Sequence, residues 1–144
     1  MNRTTRTTRR ALTLVEIIVV IVILGVLATL IAPRILSRIG QSKNAVAGSN
    51  AAVLANATKM FLADCGGRMP EGATITALWE KPAGLEEGQW KGPYVDSADQ
   101  LNDPWGKPYI LVVPGKKNLD FDIVSYGADE NPGGDGEDAD IVKP

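Results

Sequence analysis

Three hydrophobic rhythms follow one another along the chain. From Ala11 to Ala32 it reads ALTLVEIIVVIVILGVLATLIA, apolar on every side, with Glu16 as the one charge. At about 1.5 Å rise per residue, a helix of that length spans roughly 33 Å, enough for the hydrocarbon core of a bilayer. Strands rarely run so far. From Arg34 to Asp64 the pattern becomes amphipathic. Val46, Val53, Leu54, Ala57, Met60 and Phe61 predict one buried helix face, while Asn44, Asn50, Asn56 and Lys59 point elsewhere. Pro33 predicts a bend near Ala32–Pro33, and Gly66-Gly67 predicts the helix end. Residues 65–108 are loop-rich, with a short helix near Ile75–Trp79 and a turn at Asp103-Pro104-Trp105-Gly106. The third rhythm is short and alternating. Tyr109–Val113 and Phe121–Tyr126 read as strands, and the turn residues of Pro114–Asp120 make them an antiparallel hairpin. Phe121, Ile123 and Ser125 alternate there against Asp122, Val124 and Tyr126.

Charge adds a polarity to this order. The net charge is −2 over 144 residues, which argues against a nucleic-acid partner. Yet residues 1–10 hold four arginines and no acid, and residues 120–144 hold eight acids against Lys143. The arginines keep the N-terminus cytoplasmic by the positive-inside rule, which puts everything after Ala32 outside the cytoplasm. The chain has no histidine, so His-based triads and histidine metal sites are excluded. Cys65 is alone, so no intrachain disulfide and no multi-cysteine zinc site forms. Cys65 reads as a half-buried inert thiol, and Trp79, Trp90 and Trp105 as core or loop anchors.

The apolar segment by itself is compatible with a cleaved signal peptide or a plain membrane anchor. Glu16 fits neither, because a carboxylate in an apolar run is costly and usually has a partner. Arg10-Ala11-Leu12-Thr13-Leu14-Val15-Glu16, followed by IIVVIVILGVLATLIAPRIL, resembles the class III signal of type IV pilins and pseudopilins. The resemblance implies cleavage by a prepilin peptidase between Ala11 and Leu12, with Leu12 then N-methylated and Glu16 fifth in the mature chain. Ala11 stands where the family normally has Gly, and Leu12 where it has Phe. The resemblance also gives Glu16 a partner: the free amine of Leu12 on a neighbouring subunit, which neutralises both charges during assembly.

The C-terminal half resembles the major pseudopilin of type II secretion. The matching pieces are Asp103-Pro104-Trp105-Gly106-x-Pro-Tyr109, then Ser125-Tyr126-Gly127-Ala128-Asp129, then Gly133-Gly134-Asp135-Gly136-Glu137-Asp138-Ala139-Asp140-Ile141. Residues 127–140 hold six carboxylates and four glycines. Their composition alone allows a solvated, frayed tail or a Ca²⁺ site, and no EF-hand spacing is present. The resemblance implies one structural Ca²⁺. Asp129 and Asp140 match its side-chain ligands, Tyr126 and Ser125 match positions supplying backbone or hydroxyl oxygen, and Asp138 and Glu137 are further candidates.

The fold this implies is α+β and pilin-like. Its long N-terminal helix has a transmembrane half and an amphipathic half, packed on a small antiparallel sheet with a C-terminal calcium loop. The parts are a leader (1–11), a transmembrane or filament-core helix (12–33), a stem (34–64) and a periplasmic head (65–144). The function implied is a non-enzymatic filament subunit of the inner membrane that forms a periplasmic pseudopilus and pushes exoproteins through an outer-membrane secretin. Its partners would be further copies of itself, prepilin peptidase, minor pseudopilins, the inner-membrane assembly platform and, before assembly, membrane lipid. The rivals are a type IV pilin of a surface fibre, an anchored calcium-dependent binding module and an anchored hydrolase. The hydrolase lacks a histidine base.

Overall fold

A computed structural model describes residues 13–144, with the side chains of 33–37 left outside the description. It has two units, one ending at Leu36 and one spanning Ser37–Pro144. The helix α1 (Leu14–Asp64) contributes to both.

In the first unit, Thr13 is the helix N-cap. Its Oγ1 accepts the backbone N–H of Glu16 at 3.2 Å. Thr-x-x-Glu is the spacing of a capping box, and an acid in the first turn also favours the helix dipole. Leu14–Ala32 has a mean hydropathy of 3.1 and none of it is buried, so it is long and apolar enough to cross a membrane.

In the second unit, α1 lies against the head through small residues. Ala47, Ala51, Leu54, Ala55, Ala57, Thr58 and Phe61 are buried. Leu54, Ala57 and Phe61 meet the sequence expectation, but Val46, Val53 and Met60 do not: they are 48%, 58% and 60% exposed. The correction has a simple cause. Alanines allow close approach, as where Tyr109 donates its hydroxyl to the Ala47 carbonyl at 2.9 Å, so the larger side chains fall on the flank. The helix ends in a Schellman motif, as Gly66-Gly67 predicts. Gly67 N–H reaches the Leu62 carbonyl at 2.9 Å and Gly66 N–H the Ala63 carbonyl at 3.1 Å, with Gly66 at φ 76°.

The sheet has three antiparallel strands in the order β1 (Ile110–Val112), β2 (Asp122–Ser125), β3 (Ile141–Lys143). Leu111 pairs with Ile123, and Ser125 with Ile141. The hairpin is as expected. β3 is not, because three residues after a glycine-rich loop are too few to show alternation. The expected alternation in β2 also fails: all four of its residues are buried, because the strand is central in the sheet. Phe61, Leu54, Leu78, Tyr109 and Ile123 form the centre of the core between helix and sheet. A 3₁₀ turn at Ile75–Leu78 supplies Leu78, close to where the sequence places a short helix. Trp90 anchors this region by donating its indole N–H to the Ala77 carbonyl at 2.8 Å. Its ring meets Tyr94 edge-on at 5.9 Å.

Candidate functional site: the acidic C-terminal loop

Two loops flank the central strand, and each carries a carboxylate. Asp122 begins β2 and is 1% exposed. Its Oδ2 accepts the N–H groups of Lys116 at 2.6 Å and Lys117 at 2.8 Å. Its Oδ1 accepts the N–H of Asn118 at 3.1 Å and the side-chain amide of the same residue at 2.5 Å. Burial pushes the Asp122 carboxyl up, but the hydrogen bonds from Lys117, Asn118 and Lys116 outweigh it and leave the group below its ordinary value. This cradle satisfies itself.

Asp103, of the Asp-Pro-Trp-Gly turn, is the second buried acid. Gly106 N–H closes the turn on the Asp103 carbonyl at 2.9 Å. The Asp103 carboxylate then accepts the N–H of Trp105 at 3.0 Å and of Lys107 at 2.9 Å. Its other oxygen accepts the Ser125 hydroxyl at 2.6 Å. Ser125 Oγ is thereby committed within the protein. The sequence shows this turn but not the buried carboxylate network beneath it, because the partner lies 22 residues away.

The acidic loop behaves differently. It returns on itself where Ala128 N–H meets the Glu137 carbonyl at 3.1 Å. Gly127 (φ 71°) and Gly134 (φ 82°) allow the close approach: a Cβ on them would sit 2.7 Å from the Glu137 carbonyl oxygen and 2.5 Å from that of Asp138. Asp140 is part-buried, and its Oδ1 is buried without any hydrogen-bond partner. The β2–β3 register carries Tyr126 alongside Asp140, and both line one cleft of about 160 Å³. Asp138 is part-buried in the 3₁₀ turn Gly136–Asp138. Asp129 is exposed, with its Oδ1 accepting the Asn131 N–H at 3.1 Å. The structure thus brings Ser125, Tyr126 and Asp140 together on adjoining strand ends. Among the described residues, no three acidic or cysteine side chains gather into a metal cluster. An oxygen-preferring cation here would therefore draw on Asp140 together with main-chain carbonyls, a mixture hard cations accept. A buried carboxylate oxygen without a protein partner is satisfied by water or by such a cation.

Glu16 is exposed at the start of α1. The processing pair Ala11 and Leu12 lies outside the described residues. Cys65 is part-buried, its thiol donating to the Gln89 carbonyl at 3.5 Å; burial, then the Asp64 charge, raises its pKa, as suits an unreactive thiol.

Comparison with known proteins agrees with this architecture. A short motif comes first: the prokaryotic N-terminal methylation motif matches residues 6–32. The model of type II secretion system protein G matches residues 34–144. The type II secretion system core protein G of Pseudomonas aeruginosa is 39% identical over 117 residues, covering 80% of each chain. That of Xanthomonas campestris is 36% identical, over 78% of this chain and 74% of the relative. The crystal structure of the major pseudopilin from the type 2 secretion system of enterohaemorrhagic Escherichia coli superposes with a TM-score of 0.57 at 26% identity. It covers 74% of this chain and 90% of that one. Long N-terminal helix and small antiparallel sheet define a pilin-like subunit. The chain belongs to the type II secretion system protein G family.

Proposed function

We propose that this chain is a major pseudopilin, the repeating structural subunit of a type II secretion pseudopilus. One observation carries the reading: an N-terminal methylation motif over residues 6–32 precedes a protein G domain over residues 34–144 in one chain. In this reading the precursor sits in the inner membrane through Leu14–Ala32, with its head in the periplasm. Prepilin peptidase cuts between Ala11 and Leu12, and Leu12 is N-methylated. Subunits then join through their apolar helices, where the carboxylate of Glu16 meets the new amine of a neighbouring Leu12. The growing filament, with minor pseudopilins and the inner-membrane platform as partners, pushes exoproteins through the secretin. Its role is mechanical, and no residue is assigned a catalytic step.

The acidic loop is proposed to hold one structural Ca²⁺. Asp140 is the first ligand, supported by its unmatched buried oxygen. Asp129 and Asp138 are the further side-chain candidates, and Tyr126 and Ser125 offer main-chain oxygen. The ion's chemistry would be purely electrostatic: it would offset two negative charges in a loop that holds six carboxylates in 14 residues.

Mass spectrometry of the membrane-extracted protein tests the processing. The expected N-terminus is methyl-Leu12. A chain starting at Met1, or cut near Ala28–Ala32, would overturn the reading. Glu16→Ala is expected to insert normally but to lose filament assembly, and assembly at the wild-type level would remove its assigned role.

A further inference from the structure

The acidic loop meets helix α1 at Gly40–Asn44, and the contact is built around Glu137. The Glu137 Oε1 accepts the indole N–H of Trp105 at 3.3 Å and pairs with the Lys43 ammonium at 3.9 Å. That ammonium also stands 5.9 Å from the centre of the Trp105 ring. One residue earlier, the Gly136 carbonyl accepts the side-chain amide of Asn44. Gly40 is buried beneath the same side chain, and a Cβ there would lie 3.0 Å from Glu137 Cβ and 3.2 Å from its Oε2. Three segments distant in sequence therefore meet on one carboxylate: the stem at Gly40–Asn44, the Asp-Pro-Trp-Gly turn, and the loop. The main chain of Glu137 faces the other way, its carbonyl holding the Ala128 N–H at 3.1 Å. One residue thus closes the loop with its backbone and fastens it to the stem with its side chain.

We propose that Glu137 is a strap that couples the acidic loop to the stem helix, and that Gly40, Lys43, Asn44 and Trp105 form its seat. Glu137 is then no cation ligand. Its Oε1 is engaged by Lys43 and Trp105, and any cation bound at Asp140 finds the loop already held. Linkage follows. If the seated loop binds a cation more tightly than the free loop, damage to the seat lowers cation affinity, and the cation tightens the seat by the same factor. When only Glu137 or the cation is changed, and the helix residues are left as they are, protection of the stem around Gly40–Asn44 and of the loop should rise and fall together. The seat consists of protein groups alone, so the proposal stands or falls separately from the Ca²⁺ reading.

Hydrogen exchange followed by mass spectrometry tests this on the full chain in detergent micelles, first in EDTA. In Glu137→Gln, which keeps the size but removes the charge, exchange across residues 128–139 is expected to quicken roughly threefold, and in Glu137→Ala roughly tenfold. Gly40→Ala is the sharper variant. Alanine strengthens a helix interior, so exchange at 41–48 should slow, while the displaced Glu137 makes exchange at 128–139 faster. Opposite changes in the two segments are what the strap requires. Unchanged loop exchange in Glu137→Ala, or slower exchange in both segments of Gly40→Ala, would overturn it. A second arm adds CaCl₂. If the wild-type loop gains no protection, the Ca²⁺ reading fails and the strap survives on the EDTA arm. If it does gain protection, Glu137→Ala should weaken the Ca²⁺ titration midpoint without abolishing binding. Complete loss of binding would make Glu137 a ligand and contradict the proposal.

Discussion

The hairpin loop at Pro114–Phe121 and the acidic loop at Gly127–Asp140 put the same chemical group to opposite uses. Asp122 is nearly inaccessible, yet four donors from three consecutive residues, Lys116, Lys117 and Asn118, surround it. Asp140 begins the next strand junction with a buried oxygen that nothing matches. A carboxylate wrapped by its own loop's amides is a closed structural unit. A buried carboxylate oxygen without a protein partner, in a loop of glycines and further acids, is what the proposed cation would satisfy. The difference lies in the backbone: the hairpin loop turns its N–H groups inward, whereas the acidic loop turns at Gly127 and Gly134, and its one return bond is Ala128 to Glu137.

The largest expected effect breaks the closed side of this comparison. Asp122→Ala leaves buried amides without an acceptor and should cost about 3 kcal/mol, read as a lower urea midpoint of the full chain in micelles. A loss under about 1 kcal/mol would mean the cradle is not a structural unit. The acid dependence sharpens the same point. The folded Asp122 carboxyl lies below its ordinary value of 3.8, so its contribution is fully present above pH 3.8 and disappears as pH falls through the lower folded value. The stability gap between wild type and Asp122→Asn should therefore close below pH 3.8. A gap that instead widened on acidification would contradict the assignment.

A smaller effect is expected away from both loops. Tyr94 donates its hydroxyl to Asp64 Oδ2 at 2.9 Å, and Lys91 meets the other oxygen at 2.8 Å. The Lys91 hydrogen bond, then that of Tyr94, holds the Asp64 carboxyl below its ordinary value. Tyr94→Phe keeps the ring against Phe61, centroids 5.7 Å apart, and removes two bonds, the one donated to Asp64 and the one accepted from the Lys91 N–H at 3.0 Å, so about 1.5 kcal/mol should be lost. A loss as large as that of Asp122→Ala would show that the contrast between buried and peripheral carboxylates carries no weight.

The sequence showed most of what is periodic or punctuated. The apolar run, the Gly66-Gly67 stop, the Asp-Pro-Trp-Gly turn and the hairpin each announce themselves within a few residues. What stayed hidden depends on distance or on small side chains. Val46, Val53 and Met60 share the apolar spacing of the buried face, but alanines take the close contact. β3 is three residues long, and its partner lies 16 residues earlier, which no local rhythm displays. Thr13 is legible as a cap in Thr-x-x-Glu, the spacing that also sets Glu16 in the first turn of the helix. In the acidic loop the residue types were plain. Their division of labour, with Ser125 spent on Asp103, Glu137 on the stem and Asp140 left open, emerges only in the folded chain.

The open carboxylate is tested most directly by thermal unfolding of the full chain in micelles, with CaCl₂ or with EDTA. A cation at a hundred times its Kd adds about 2.7 kcal/mol, a melting-point rise of several degrees. That rise is expected in the wild type and in Asp122→Asn, and its loss in Asp140→Asn. Equal melting points in CaCl₂ and EDTA, or an undiminished rise in Asp140→Asn, would contradict the Ca²⁺ reading.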